Sequence, residues 1–325
     1  MAILNTRELQ ARGKDLAAGF RRETRMLVLV YCGVIAALSL VSNGLNLFLE
    51  SQIGQTGGLG GLGMRSVLQT FQAILSYVNM FFGPFWSAGF LLAMLGMVRG
   101  GTPRLEDLTG GFRRFTRILG GLFFELMTGF LLMLASANLA AVLFTMSPLG
   151  VRFEQLMGPV LADPNLITPE GAVNLELLPT EALAAAMIPM VILTLVVFVP
   201  LYIWISYGFR MSGYLLVERP IGGFRAHFES MRLMRGHKMQ IFRLDLRFWW
   251  YHALTVLAAG VGSLDAILEA LGVGGSINKT VLLFGSLSLY FVLLTALYLW
   301  KKCDVDAAYV LAYEAIAYPE QTETE

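Results

Sequence analysis

This 325-residue chain is poor in the side chains that metal proteins and redox enzymes depend on, with two cysteines, Cys32 and Cys303, and three histidines, His227, His237 and His252. The cysteines stand far apart, within or at the end of apolar runs, which excludes a disulfide framework or a metal knuckle. The histidines fall in a juxtamembrane stretch, a basic loop and an apolar run, without metal-ligand spacing or an H-E-x-x-H string. There are no paired carboxylates at a shared depth and no serine with a nearby histidine. No catalytic residue, cofactor site or metal site is therefore assigned, and the chain reads as non-enzymatic. Charge is scarce as well, at 14 % Asp, Glu, Lys and Arg. With no basic domain standing apart from the apolar runs, nucleic acid is excluded as a partner.

Apolar surface is what the chain has in excess. Hydrophobic residues make up 56 % of it, a membrane-class composition. Twenty-five residues carrying six Lys and Arg precede the first apolar run, unlike a cleavable signal peptide, so that run is expected to stay in the mature protein. Runs near 20 residues long occur at Met26–Phe48, Val67–Met97, Ile118–Phe144, Ala184–Phe209, Ile241–Leu264 and Val281–Trp300. The second would reach ~46 Å as a straight helix against a hydrocarbon core of ~30 Å, and Pro84 is its natural kink. The fifth is the weakest, because Arg243, Asp245 and Arg247 occupy its first turns.

Charge between the runs sets an expected topology. Of the 24 Lys and Arg residues, 21 fall in 1–25, 98–117, 210–247 and the pair Lys301–Lys302, and only Arg65, Arg152 and Lys279 fall on the other side. The positive-inside bias then predicts six crossings of a cell inner (plasma) membrane, with both termini cytoplasmic.

Gly-Phe-Arg occurs four times, at 19–21, 111–113, 208–210 and 223–225, where chance supplies ~0.1, so an internal repeat is the first thing to look for. All four sites lie on the expected cytoplasmic side, and three precede a pair of runs, as if three elbows introduced three hairpins. In 224–232, Phe224, Phe228 and Met231 follow i, i+4, i+7, while Arg225, Glu229 and Arg232 do so on another face. That is the pattern of an amphipathic helix lying in the inner leaflet, its glycine allowing the turn into it. Anionic membrane lipid headgroups are the implied partner, with Arg21, Arg22, Arg113, Arg114, Arg225, Arg232, Arg235 and Lys238 the candidates to meet them. Protein partners stay undetermined.

On the opposite side, residues 145–183 form a long acidic stretch whose prolines leave room only for short helices. It reads as a solvated connector or a lid, the connector preferred. The string GLGGLG at 58–63 fits a dinucleotide fingerprint by letter, but it links two apolar runs instead of a strand and a helix and reads as a flexible loop. Asn278-Lys279-Thr280 fits a glycosylation string that matters only in a secretory setting.

Ionisable and polar groups inside the runs are the candidate intramembrane sites. Glu125 is read as a structural bond to Arg117, Arg210 or a hydroxyl, or as a relay with His252. Asp245 sits two residues from both Arg243 and Arg247, which share a face away from it. It is expected to face the bundle and to take its partner elsewhere, from Arg210 or Arg117. Gln69, Gln72, Ser76 and Asn79 fall within an ~80° arc, a stripe suited to helix contacts or to an outward-facing polar cleft. Pro84, Pro189 and Pro200 interrupt two runs, as proline does around some transporter sites.

The segment ESMRLMRGHKMQIFRLDLRFWW at 229–250 resembles the signature of an uncharacterised bacterial integral-membrane family, domain-of-unknown-function family nine-seven-five. Ser230, Met234, Arg235, Gly236, His237, Lys238, Leu244, Leu246 and Phe248 match it, and Arg247 stands where a small residue is usual. YGFRMSGYLLVERP and ARGKDL fit more loosely, and the acidic loop at 145–183 departs from the pattern. The resemblance implies a multi-span protein with elbow helices, similar to the membrane portion of some glycerophosphodiester phosphodiesterases, whose soluble domain this chain lacks.

The expectation is an all-α polytopic membrane protein of about six transmembrane helices in three hairpins, each preceded by a juxtamembrane amphipathic elbow, forming a single domain over 1–325. Its parts are an elbow at 1–25, hairpin one at 26–97, an elbow at 98–117, hairpin two at 118–209, an elbow at 210–240, hairpin three at 241–300 and a cytoplasmic tail at 301–325. A non-enzymatic accessory protein that interacts with lipid or protein is the first functional expectation, and a transporter of a small molecule, ion or lipid through an outward-facing cleft is the alternative.

Overall fold

The computed structural model describes residues 5–55, 59–161, 180–264, 267–268 and 279–319, and no strand occurs among them. Its helices are α1 (Thr6–Gly19), α2 (Arg21–Gln55), α3 (Leu59–Val98), the short α4 (Leu105–Leu108), a 3-10 segment (Thr109–Arg114), α5 (Phe115–Thr145), α6 (Pro148–Leu161) and α7 (Thr180–Phe209). They continue as α8 (Ser212–Glu218), α9 (Gly223–Leu233), α10 (Lys238–Arg247), α11 (Trp249–Gly262), α12 (Lys279–Leu297), a π turn (Tyr298–Lys302) and α13 (Cys303–Ala317). Among the described residues five stretches are long and apolar enough to cross a membrane: Arg21–Leu45, Phe81–Val98, Leu105–Thr145, Met187–Glu218 and Thr280–Ala317.

Local chemistry sets several of these boundaries. Asn5 caps α1, its Oδ1 accepting from Arg7 N at 3.2 Å, with Glu8 in the first turn where the helix dipole favours an acid. The chain leaves α3 at Gly100, whose φ of 84° is left-handed, while Gly101 N donates to Gly96 O at 2.9 Å and Gly100 N to Met97 O at 3.1 Å. These are the paired bonds that close a helix on a C-terminal glycine.

The fifth apolar run differs from expectation. The helix breaks at Phe248, between α10 and α11. α11 has 14 residues, which span ~21 Å against the ~30 Å of a hydrocarbon core. The charged start of the run, with Arg243, Asp245 and Arg247, belongs to α10, so summed hydropathy had merged two elements. GLGGLG is also not a loop across its length, since Leu59–Gly63 already belong to α3. The acidic stretch contributes α6, while residues 162–179 and the string's Asn278 lie outside the described residues.

The chain divides into two compact units, residues 1–121 with 210–325, and residues 122–209. In the first, α13 is buried on almost every side through Val305, Ala307, Ala308, Tyr309, Val310, Ala312, Tyr313 and Ile316. α1 lies along it so closely that a Cβ on Gly13 would come within 2.9 Å of Ala308 N. α2 meets α3 through Tyr31 and Phe90, ring centroids 5.0 Å apart, and through Trp86 Nε1, which donates to Tyr31 O at 3.2 Å. α12 lies against α2 and α11. Met94, Met97, Leu108, Met211, Leu215, Met234, Ile241 and Leu244 are fully buried.

The second unit holds α6, α7 and most of α5. Phe144 meets Phe153 edge-on at 6.1 Å, Phe124 meets Phe209 at 5.7 Å, and Ala140 and Ser136 are buried. On α7, Met187, Ile188, Val191, Ile192, Leu195 and Val196 are exposed. A helix this apolar with an outward apolar face suits hydrocarbon as its solvent.

The Gly-Phe-Arg sites fold in different ways, which limits the repeat read from them. Residues 19–21 join α1 to α2, 111–113 lie in the 3-10 segment, and 223–225 open α9. None of these glycines has positive φ, a state held among the described residues by Gly100 and Gly236. Turning is therefore not their role. A Cβ on Gly111 would overlap the Phe85 carbonyl and one on Gly223 would overlap the backbone of Gly120 and Gly121, whereas Gly19 has nothing within 4 Å. Two of the three sites need glycine for close backbone approach, and the third shows no such need.

Candidate functional site

The polar contacts of the first unit converge on α13, in the segment 301–325 expected to be a tail. Tyr309 donates a hydrogen bond to Asp245, and Arg210 Nη2 lies 3.3 Å from the same Oδ1. The Arg210 guanidinium also sits 4.9 Å over the Tyr309 ring. With its proton given to Asp245, the Tyr309 oxygen is left to accept from His252 Nε2 at 3.3 Å. Asp245, flanked by arginines on its own helix, thus takes its cation from 35 residues upstream.

A turn further along α13, Glu218 accepts from Tyr313 and Arg99, and from Tyr318 Oη at 2.9 Å. Arg99 Nε donates to Glu314 at 2.8 Å. Burial works against the Arg99 charge, but the hydrogen bonds and charges of Glu218 and Glu314 outweigh it and push the pKa of Arg99 up. Arg219 is raised chiefly by its hydrogen bond to Tyr318, at 3.4 Å. Tyr214 stacks on Tyr313 at 4.9 Å. α8, α10, α11 and Arg99, the residue after α3, are each tied to α13 by a charge or a phenol.

At its start α13 closes a cleft of about 330 Å³ whose lining includes Tyr31, Ser87, Phe90, Leu216, Lys302 and Asp306. The π turn Tyr298–Lys302 carries Lys302 into it, and such turns recur at functional positions. Lys302 Nζ is 2.9 Å from Asp306 Oδ2 and stands over the rings of Phe90, Tyr298 and Tyr31 at 4.6, 4.9 and 5.4 Å. Tyr31 Oη and Ser87 Oγ share a hydrogen bond of 2.9 Å. The arrangement is an apolar cleft with one cation, one carboxylate and two hydroxyls, suited to an amphiphile and without a nucleophile next to a base. Lys302, one of the cations counted for the inner face, is mostly buried.

The other sequence-selected residues are scattered. Glu125 is exposed on α5. Gln69 is exposed, and the side chains of Gln72, Ser76 and Asn79 lie outside the described residues. Arg21, Arg22, Arg113, Arg225, Arg232 and Arg235 are exposed, and Arg114 and Lys238 are half-buried. Burial lowers the pKa of Lys238.

α9 gathers several of these residues. It buries Ala226, His227 and Ser230 and leaves Phe224, Phe228 and Met231 exposed at 51, 60 and 39 %. Beside them an open pocket of about 420 Å³ is walled by Arg225, Arg232 and Arg235, with Glu229 bonded to Arg225 at 2.9 Å and to Arg219 at 3.5 Å. Among the described residues no group of three or more His, Cys, Asp and Glu side chains is placed to hold a metal ion.

Asp245→Asn keeps the shape and removes the charge that Arg210 and Tyr309 meet. It is expected to lower the melting temperature in detergent by an amount corresponding to about 1–2 kcal/mol. Tyr309→Phe should cost less. Equal melting of Asp245→Asn and the parent would mean that water carries these bonds.

A family model described as a protein of unknown function (DUF975) matches residues 4–268. No curated protein and no solved structure matches the chain, so the likeness to glycerophosphodiester phosphodiesterases has no support. The match begins near the N-terminus and runs through the acidic stretch, more of the chain than the residues of 229–250 alone suggested.

Proposed function

The chain belongs to DUF975, a family of proteins of unknown function, and from its own geometry we propose a non-enzymatic multi-pass membrane protein that gathers anionic lipid headgroups on its basic face. α9 carries the reading. Three large apolar side chains stand exposed beside three guanidinium groups, the composition of a helix lying at the boundary between acyl chains and headgroups. As an amphipathic helix it would enter the acyl boundary with Phe224, Phe228 and Met231 while Arg225, Arg232 and Arg235 reach phosphate. The distribution of Lys and Arg supports a plasma-membrane orientation with this face and both termini in the cytoplasm.

The test is lipid enrichment around the full chain in nanodiscs made from phosphatidylglycerol and phosphatidylcholine, read by native mass spectrometry. Each basic residue near an anionic surface contributes about 1 kcal/mol. Replacing Arg225, Arg232 and Arg235 together by Gln should therefore cut phosphatidylglycerol enrichment about tenfold or more. Undiminished enrichment would reject α9 as the contact.

A carrier is the second reading, and one observation favours it: the cleft that holds Lys302 and Asp306. A solute flux in sealed proteoliposomes that disappears in the double variant Lys302→Met with Asp306→Leu, while that variant keeps the parent's melting temperature, would turn the reading toward transport.

A further inference from the structure

A separate cleft of about 290 Å³ opens where α1, the beginning of α2 and the junction of α12 with α13 meet. Its charged lining is Lys14, Arg21, Arg25 and Lys301 against a single carboxylate, Asp304. Lys301 Nζ lies 2.9 Å from Asp304 Oδ2, so that pair is internally balanced and the lining keeps a net charge of three cations. Arg21 and Arg25 are i, i+4 on one helix face, where like charges repel, and Glu23, two residues from each, points away from them. An arrangement that holds like charges together gains most from a ligand carrying more than one negative charge.

The rest of the lining is mostly apolar, with Thr24 and Cys303 beside the aliphatic residues. Val28, Leu299, Ala17 and Ala18 form its other walls, and Trp300 is 62 % exposed with Lys301 Nζ 5.7 Å from its ring centroid. The site lies at the first residues of the membrane-length stretch Arg21–Leu45, and an exposed tryptophan there is an interfacial residue type. Cations at the rim and aliphatic side chains beyond them match a phosphate joined to an acyl chain.

We propose that this cleft is a specific site for a membrane lipid with a phosphomonoester headgroup. The lipid phosphate sits among Lys14, Arg21 and Arg25 and its chains run along Leu299 and Trp300. The proposal rests on the lipid-binding reading above and narrows it from a general anionic surface at α9 to one saturable site of defined headgroup charge.

The full chain in detergent is titrated with phosphatidic acid, phosphatidylglycerol, phosphatidylcholine and inorganic phosphate, with adducts counted by native mass spectrometry and melting followed in parallel. Expected is a single saturable phosphatidic acid adduct that raises the melting temperature and binds about tenfold or more tightly than phosphatidylglycerol, the advantage of a second headgroup charge among several cations. The adduct should be lost in Arg21→Gln with Arg25→Gln and kept in the triple α9 variant. Lys14→Gln, on a different helix, gives an independent weakening should the double variant fold poorly. Equal binding of phosphatidylglycerol overturns the phosphomonoester assignment. A melting shift by inorganic phosphate that equals the lipid's, and is lost in the same variant, overturns the lipid as ligand. An adduct lost in the α9 variant but kept in the α1 and α2 variants overturns this site while leaving the general reading intact.

Discussion

Gly89→Ala is expected to leave little folded protein, although it adds one methyl group to a helix that glycine disfavours. A Cβ on Gly89 would overlap the Leu108 carbonyl, and one on Gly111 would overlap the Phe85 carbonyl. The backbone of α3 approaches the end of α4 through Gly89 and the 3-10 segment through Gly111, and neither obstacle is a side chain that can rotate away. The rings around the contact leave little slack: Phe82 and Phe85 lie 5.3 and 5.6 Å from Phe112, and Phe85 stacks on Phe115 at 4.8 Å. Overpacking of this kind costs about 3 kcal/mol or more. The measurement is monodisperse yield after solubilisation together with melting temperature. Gly83 and Gly96 lie on the same helix with nothing within 4 Å of their would-be Cβ atoms. Alanine there should be neutral or stabilising by about 0.5–1 kcal/mol. If Gly89→Ala melted with those two, the close approach of the segments would be wrong.

The contrast between these glycines shows where sequence reasoning stops. Helicity and most of the long apolar helices could be read from hydropathy alone, because a span of hydrocarbon demands a run of apolar residues wherever it sits in the fold. The i, i+2 geometry of Arg243, Asp245 and Arg247 likewise turned Asp245 from its neighbours, and the structure puts Arg210 at 3.3 Å from it. Contacts set by distant segments left no such trace. Gly89, Gly83 and Gly96 look alike until Leu108 is placed in space. The break at Phe248 is a local backbone event that a 20-residue average smooths over.

α13 is the instructive miss. Val305, Ala308, Ala312 and Ile316 repeat at helical spacing, with Tyr309 and Tyr313 also i, i+4, so the signal for a packed helix was present just after Lys301–Lys302. Reading those lysines as the end of the last crossing concealed it. The partners of its phenols, Asp245 and Glu218, are 64 and 95 residues away, and no period in the sequence connects them. Glu125, another ionisable group picked out inside a run, is exposed on α5, and the partners expected for it, Arg117 and Arg210, belong to the other unit.

Lys302→Met should be the most damaging substitution at the start of α13. The ammonium sits 2.9 Å from Asp306 Oδ2, with side-chain exposures of 15 % for Lys302 and 25 % for Asp306, and three rings face it. Removing one member of a buried pair leaves the other charged and poorly solvated, which costs about 3–5 kcal/mol when water is fully excluded. The partial exposure of Asp306 puts the expected loss near the lower end, about 3 kcal/mol. Replacing both, Lys302→Met with Asp306→Leu, removes the stranded carboxylate and should restore most of the melting temperature, since apolar replacement of a whole buried pair is often neutral. The order of the three proteins identifies what holds the cleft together. Recovery in the double variant assigns the loss to the uncompensated Asp306. A double variant as unstable as the single one would assign it to the cation over Phe90, Tyr298 and Tyr31, whose faces a methionine meets without charge. A single variant that melts with the parent would show that water reaches both groups and that the cleft is wetter than its apolar lining implies.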